Sequence, residues 1–278
     1  MNSLMSRRSL RVLAKRVVSL LPSPIDLKLT EMLRWLGSPR VRYNRRRTCR
    51  ILEALGWPTQ VVAGPFRGMY YPLRTGGQGG LLPKILGTYE LELATVVKEI
   101  ACSAPDLVIN IGAGEGYYAV GFARLVPSAR VVCFELDKPW HTAIRELARA
   151  NGVSDRLSIY GECTVEELDH ALGVRGGAAT TVICDCEGAE HYLLRPDRVP
   201  GLLGAVVLCE VHDVLRPGVS RSIQARFDVS HQIRVIDSEE RSMQDLPAGS
   251  DLSESDAAFA LSEGRAGRMQ WFVMRPNS

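Results

Sequence analysis

Apolar residues in the second half of this chain gather into short continuous runs separated by turn-forming residues. Leu107–Ile111 has the length expected of a strand buried on both faces of a parallel sheet, and Arg130–Phe134, Leu157–Tyr160, Ala179–Cys184 and Ala205–Cys209 predict four more strands. The segments between them predict helices: Tyr117 to Val126, which stops at Pro127, then Pro139 to Asn151, then Thr164 to Leu172. Gln232–Ile236 and Met269–Met274 predict two further strands. They flank a long polar stretch, 239–267, with a short helix at Asp256–Leu261. Strand and helix in alternation predict an α/β sheet with helices on both faces.

The region before the first strand is patterned differently. Val61 to Leu73 predicts strand, Gly-Pro turn, strand, and Thr75–Gly80 a glycine-rich loop. A helix is expected over about Tyr89–Ile100, with Leu91, Leu93, Val96, Val97 and Ile100 on its apolar face and Thr88 as its N-cap. Earlier still, residues 7–21 predict an amphipathic basic helix ended by Pro22 and Pro24, and Asp26–Leu36 a second helix. The expected organisation is a basic, largely helical arm (1–58), a segment lying across the pocket (59–100) and a core (101–278).

Composition changes this picture in one respect. Apolar content of 46% and charged content of 23% are ordinary for a globular chain of 278 residues. The net charge of +3, however, is unevenly spread. Residues 1–50 hold 13 Arg and Lys against Asp26 and Glu31, a net of +11, which leaves −8 for the rest. The cluster Arg40–Arg50 is compatible with an anionic membrane surface, nucleic acid, an acidic substrate or a solvated helical arm. Nucleic acid is disfavoured, because Tyr43 alone is present there to stack a base. Seven cysteines without a C-x-x-C pair suggest thiols in a reducing compartment, and a cytoplasmic location is expected, peripheral membrane contact through residues 1–50 being the alternative. No apolar run approaches the ~20 residues that span a bilayer.

Candidate chemistry sits at the carboxyl ends of the predicted strands, where parallel sheets bind nucleotides. Gly112, Gly114 and Gly116 follow the first strand at alternate positions, and Glu135 closes the second. A dinucleotide fingerprint would need glycine at 117, where Tyr117 stands, so a nicotinamide oxidoreductase is disfavoured. After the third strand comes Glu162, and after the fourth the cluster Asp185-Cys186-Glu187-Gly188-Ala189-Glu190. Carboxylates so close repel one another, which packing alone does not account for. The fifth strand ends in Glu210-Val211-His212-Asp213.

The G-x-G-x-G turn resembles the first motif of class I S-adenosylmethionine-dependent methyltransferases. The residues NIGAGEGYYAV (Asn110–Val120), CFELD (Cys133–Asp137) and CDCEGAEHYLL (Cys184–Leu194) together resemble the FkbM family of that class. The last is similar to its D-V-E-G-A-E signature, with Cys186 in place of valine. PFRGMYYP (Pro65–Pro72) and PKILGTYELEL (Pro83–Leu93) are similar to segments preceding the core in relatives of the group. The likeness spans about residues 60–275. It implies a Rossmann-like seven-stranded sheet whose last strand is antiparallel and inserted beside the sixth. It also implies S-adenosylmethionine as donor and a hydroxyl acceptor on a small molecule or glycan.

Cofactor contacts are then expected from Glu90, Asn110, Gly112, Gly114, Gly116, Glu135, Glu162 and Asp185. The family motif usually opens with Asp, so Asn110 removes a negative charge beneath the donor. For the acceptor hydroxyl, His212 is the favoured general base, with Asp185 and Glu187 as further candidates. No resident metal is expected, since no metal-ligand spacing is evident; Asp185, Glu187 and Glu210 holding a divalent ion is the second choice. A non-catalytic nucleotide-binding protein and an RNA methyltransferase using the basic arm are the alternative functions.

Overall fold

The computed structural model describes residues 39–72, 80–173, 179–265 and 267–277. The helices expected over 7–21 and 26–36 and most of the 75–80 loop lie outside the described residues. The chain divides into two compact units, Met1–Arg50 and Ile51–Ser278. Helix α1 (Pro39–Ala54) carries the Arg40–Arg50 cluster. Among the described residues no helix is long and apolar enough to cross a membrane.

The larger unit is a single seven-stranded sheet. Its strands are β1 (Leu107–Ile111), β2 (Arg130–Phe134), β3 (Leu157–Tyr160), β4 (Thr180–Cys184), β5 (Val206–Val211), β6 (His231–Asp237) and β7 (Gln270–Pro276). Their order is β3-β2-β1-β4-β5-β7-β6. The first five pair in parallel, whereas β7 runs antiparallel between β5 and β6. This is a Rossmann-like seven-stranded sheet with the inserted antiparallel strand that the resemblance implied.

Period-two alternation divides the core between the two faces of the sheet. Val108, Ile183, Leu208, Trp271 and Val273 face one buried cluster. That cluster also takes up α2 (Leu81–Leu86), α3 (Ala94–Cys102), α4 (Tyr117–Leu125) and α5 (Lys138–Ala150). Leu107, Ile109, Val182, Cys184, Val207, Cys209 and Phe272 face the other, covered by α6 (Val165–Gly173), the single turn α7 (Glu190–Leu193) and α8 (Val219–Phe227). β1 is buried at all five positions, as a central parallel strand must be. The excursion between β6 and β7 contains α9 (Glu254–Leu261).

The pre-core segment departs from its expected form in two places. Between Gln60 and Tyr70 there is one antiparallel bridge rather than a pair of strands. Glycines explain the tight return: a Cβ on Gly64 would lie 2.3 Å from the Gly87 carbonyl oxygen, and one on Gly87 would lie 2.0 Å from that of Ala63. The two sides are nonetheless joined by backbone hydrogen bonds, the Val61 amide donating to the Met69 carbonyl at 2.8 Å and the Tyr71 amide to that of Thr59 at 2.9 Å. The helix expected from Tyr89 begins only at Ala94, after a 3₁₀ turn at Leu91–Leu93. Glu90 takes a left-handed conformation (φ 48°, ψ 47°), which an α-helix does not accommodate.

Aromatic packing fixes this segment over the start of α4. Phe66 meets Tyr117, Tyr118 and Phe122 edge-on, with ring centroids 5.1, 5.7 and 5.9 Å apart. From the other side, Arg241 donates to the Thr88 carbonyl (3.3 Å) and pairs with Glu92 and with Glu263 (3.0 Å). The excursion between β6 and β7 therefore clamps residues 88–92 in place.

Candidate functional site

The site follows from the same alternation that builds the core. On the α4 side of the sheet each central strand ends its apolar row with a polar residue: Val108 then Asn110, Ile183 then Asp185, Leu208 then Glu210 and His212. Parallel register brings those ends together, since Ile111 pairs with Cys184 and Cys184 with Cys209. Asp185 therefore follows directly beside both Gly112 and Glu210. Asn110, Asp185 and Glu210 line one cavity with Gly112–Glu115, and Lys84, Tyr89, Glu90, Tyr117 and Tyr118 close it from above. A second cavity shares Tyr89, Glu90, Asp185 and Glu210, and extends outward to Glu187, His212, Val214, Leu215 and Arg265.

The glycine turn is shaped by close approach. A Cβ at Gly112 would lie 1.7 Å from the Asp185 carbonyl oxygen, so only glycine allows β1 and β4 to end side by side here. Gly114, by contrast, has φ 53° and nothing within 4 Å of where a side chain would begin. Its surface is open toward the cavity. Gly116 caps α4 at φ 93° and rests on Ile144.

Glu135 reaches back to this turn. Its carboxylate accepts the Gly114 amide at 2.7 Å through Oε2 and the Asp137 amide at 2.8 Å through Oε1. Each oxygen keeps a second lone pair for a further donor. Asn110 is 2% exposed, and among the described residues its side-chain oxygen has no hydrogen-bond partner. A buried acceptor left unpaired costs ~1–3 kcal/mol, so the cavity presents it to an incoming N–H.

Glu90, 5% exposed, shares a hydrogen bond with the Tyr118 hydroxyl. Burial and the neighbouring Asp185 charge push its carboxyl up to about 7, against the opposing pull of Tyr118 and Arg265. Glu210 is pushed up to about 10 by burial, by the charges of Asp185 and Glu90, and by a hydrogen bond with Asp185. The Asp185 charge therefore raises the pKa of both buried acids.

His212 is the most buried of the predicted catalytic residues. It is 3% exposed, and Glu190 holds it twice: Oε1 accepts the His212 amide at 2.9 Å and sits 3.0 Å from Nδ1. Glu190 is fully buried; burial raises its pKa, but the His212 contacts and backbone hydrogen bonds bring it below the ordinary carboxylate value. An ionised carboxylate only accepts, so the proton sits on Nδ1 and the Nε2 lone pair faces the cavity in the neutral ring. Nε2 lies 3.5 Å from Asp185 Oδ1, and 3.9 Å from both Glu187 Oε2 and Glu210 Oε2. Desolvation lowers the imidazole's pKa, yet the Glu190 hydrogen bond and charge, with Asp185 and Glu187, raise it on balance.

Of the residues singled out in the sequence, the structure thus gathers Glu90, Asn110, Gly112, Gly114, Asp185, Glu210 and His212 around connected cavities. Glu187 stands at the outer rim, 79% exposed and at φ 55°. Glu162 is exposed at the end of β3 and lines neither cavity. Among the described residues, a grouping that could hold a cation is not the trio that stood as second choice: ligand atoms of Asp185, Glu210 and His212 all lie within 4.8 Å of one another, with His212 in place of Glu187.

Three residues had no role assigned in the sequence reading. Glu190 belonged to the acid cluster, but its partner is 22 residues away. Lys84 and Glu115 form a buried ion pair, with Tyr71 donating to Glu115 at 2.7 Å. No local pattern announces a pair 31 residues apart. All seven cysteines are free thiols, and Cys184 and Cys186 approach to 3.4 Å between sulfurs.

No protein-family model matches this chain, and no curated relative matches it. Among solved structures it is similar to the O-methyltransferase TomG from Streptomyces achromogenes in complex with SAM: 15% identity, 66% of this chain and 80% of that one, TM-score 0.42. It is also similar to an O-methyltransferase from Bacillus cereus in complex with SAH, at 12% identity over 83% of this chain and 91% of that one, TM-score 0.42. A third is the SAM-dependent O-methyltransferase TM0748 from Thermotoga maritima, at 15% identity over 66% of each chain, TM-score 0.44. Likeness at this level concerns the arrangement of the sheet and says nothing of what this chain acts on.

Proposed function

We propose that this chain is an S-adenosylmethionine-dependent methyltransferase acting on a hydroxyl group of a small molecule or glycan. One observation carries the reading. The cavity above the glycine turn combines an open backbone surface at Gly114, an acceptor on Asn110 without a partner among the described residues, and the acids Glu90 and Glu210, whose pKa values burial and the Asp185 charge raise. A ligand with a cationic centre and N–H donors relieves each of these costs at once, and S-adenosylmethionine carries both a sulfonium and an ammonium. Asn110 and Glu90 would hold the methionine end, Gly112, Gly114 and Gly116 would lie beneath the ligand, and Glu135 would accept the ribose hydroxyls. Asp185 belongs with the same set, at the border between the two cavities.

The cofactor supplies a methyl group already activated by its sulfonium, so the chain's own contribution is alignment, exclusion of water and removal of a proton. The outer cavity, with Val214, Leu215 and Met269 among its walls, is the space for the acceptor. His212 Nε2 accepts the hydroxyl proton as the oxygen becomes a nucleophile. Glu190, fixed on Nδ1, orients the ring and stabilises the imidazolium that results. Membership of the FkbM group rests on the 184–194 segment, whose Glu190 is the residue that holds His212.

A second reading of the same atoms is favoured by the grouping of Asp185, Glu210 and His212 within 4.8 Å. There a divalent cation would lower the pKa of the acceptor hydroxyl, and His212 would be its ligand rather than a base. Chelator treatment separates the two: turnover by His212 alone survives exhaustive removal of metal, and a cation-dependent site loses it. The reading as a whole is tested by incubating purified protein with methyl-labelled S-adenosylmethionine and fractionated cell extract. Label transferred to a hydroxyl-bearing product supports it, and no transfer to any fraction opposes it.

A further inference from the structure

We propose that Lys84 is the anchor for the carboxylate of the cofactor's amino-acid end, so that the inner cavity recognises a zwitterion. The inference rests on the cofactor reading above and adds a residue which that reading does not need. Lys84 is the one cation among the described residues lining the inner cavity, and it is only 8% exposed. Burying an ammonium is costly unless its donors are used. Among the described residues, Glu115 is its one hydrogen-bond partner. On another side lies the face of Tyr89, with Nζ 4.6 Å from the ring centroid. Of three N–H donors, one is spent on Glu115, and the remainder lie in a cavity shared with the unpaired oxygen of Asn110.

The position is also rigid. Lys84 sits in α2, which begins and ends at left-handed glycines, Gly80 and Gly87. The Val62 amide donates to the Ile85 carbonyl at 2.8 Å, and Gly87 packs directly on the Ala63 backbone. Helix and glycine turn are tied together by the ion pair itself, since Glu115 belongs to the turn. A cation and an orphaned acceptor lining the same cavity match the two charges of an α-amino acid: carboxylate on Lys84 Nζ, ammonium on Asn110 Oδ1.

If Lys84 serves only to neutralise Glu115, removing both charges together is harmless. That defines the experiment. Binding of S-adenosylmethionine and of 5′-methylthioadenosine, which keeps the adenosine and sulfur but lacks the amino-acid end, is measured by calorimetry on the wild type and three variants. These are Lys84→Met, Glu115→Gln and the double variant, in which neither charge of the pair remains and whose folding is checked by thermal melting.

The proposal expects the double variant to bind methylthioadenosine as the wild type does, but S-adenosylmethionine about tenfold or more weakly, the scale of one lost charge-assisted hydrogen bond. Glu115→Gln, which keeps Lys84, should bind S-adenosylmethionine more tightly than the double variant. Equal losses for both ligands, or no loss for either, would overturn the proposal and leave Lys84 a structural partner of Glu115. Wild-type protein that binds neither ligand would instead overturn the cofactor reading, and this assignment with it.

Discussion

The two sides of the inner cavity treat their carboxylates in opposite ways. On the side of the glycine turn each acid has partners that stabilise its charge: Glu135 takes two backbone amides, and Glu115 takes Lys84 and Tyr71. Burial raises the pKa of Glu115, but Lys84 and Tyr71 more than offset this and hold it below the ordinary value. At the ends of β4 and β5 the acids face one another instead. Glu90 and Glu210 sit near 7 and 10, and Asp185 is their common neighbour. Glu190 is the exception there, since its carboxylate is hydrogen-bonded to the His212 ring. The paired acids build the fold, whereas the crowded ones hold unrelieved repulsion that a cationic ligand can use.

The contrast can be broken most severely at His212. His212→Ala should lower turnover by about 10²–10⁴-fold, the usual scale of general-base help, while the dissociation constant for S-adenosylmethionine stays nearly constant. Unchanged turnover removes His212 from the reaction.

On the paired side, Glu115→Gln strands the Lys84 charge and should cost about 3–5 kcal/mol of stability, read from denaturant unfolding. On the crowded side, Glu210→Gln should have the opposite sign. An acid whose folded pKa stands above its unfolded value opposes folding between the two, here from about 4.5 to about 10, and the penalty grows with pH across that window. Glu210→Gln should therefore melt at or above the wild-type temperature at pH 8, and more nearly equal to it at pH 5. Equal destabilisation by both substitutions would erase the distinction between the two sides.

A smaller effect concerns pH. With Glu90 near 7, its charged form is lost as pH falls, and affinity for the cationic cofactor should fall too, by at most tenfold per pH unit for one proton. Glu90→Gln should flatten that dependence between pH 8 and 6. Smallest of all, Glu162→Ala, at an exposed position outside both cavities, should leave affinity within about twofold and melting unchanged.

How far the sequence foretold this depended on the range over which each feature is set. The central strand β1 was legible because a doubly buried strand needs a continuous apolar run, as Leu107–Ile111 provides; β3, at the edge of the sheet, is half exposed and shows no such run. The glycine turn with Glu135 was legible because its contacts are local to one strand-turn-helix-strand unit. The start of α3 was not, because Glu90 is held in a left-handed conformation by contacts to Tyr118 and Glu263, which lie far along the chain. The same holds for the Glu190–His212 and Lys84–Glu115 pairs, which only the register of the sheet and the packing of α2 bring together. Local chemistry announced that acids gather after β4; only the fold separates the one that orients His212 from those at the cavity.

Every functional assignment above depends on S-adenosylmethionine binding in the cavity over Gly112–Gly116. Wild type and Glu135→Ala can be titrated calorimetrically with S-adenosylmethionine, its demethylated product and a nicotinamide dinucleotide. The first two should bind the wild type saturably and one-to-one, and the variant more weakly, while the dinucleotide should give no heat. Silence toward both sulfur compounds, together with uptake of the dinucleotide, would refute that assignment.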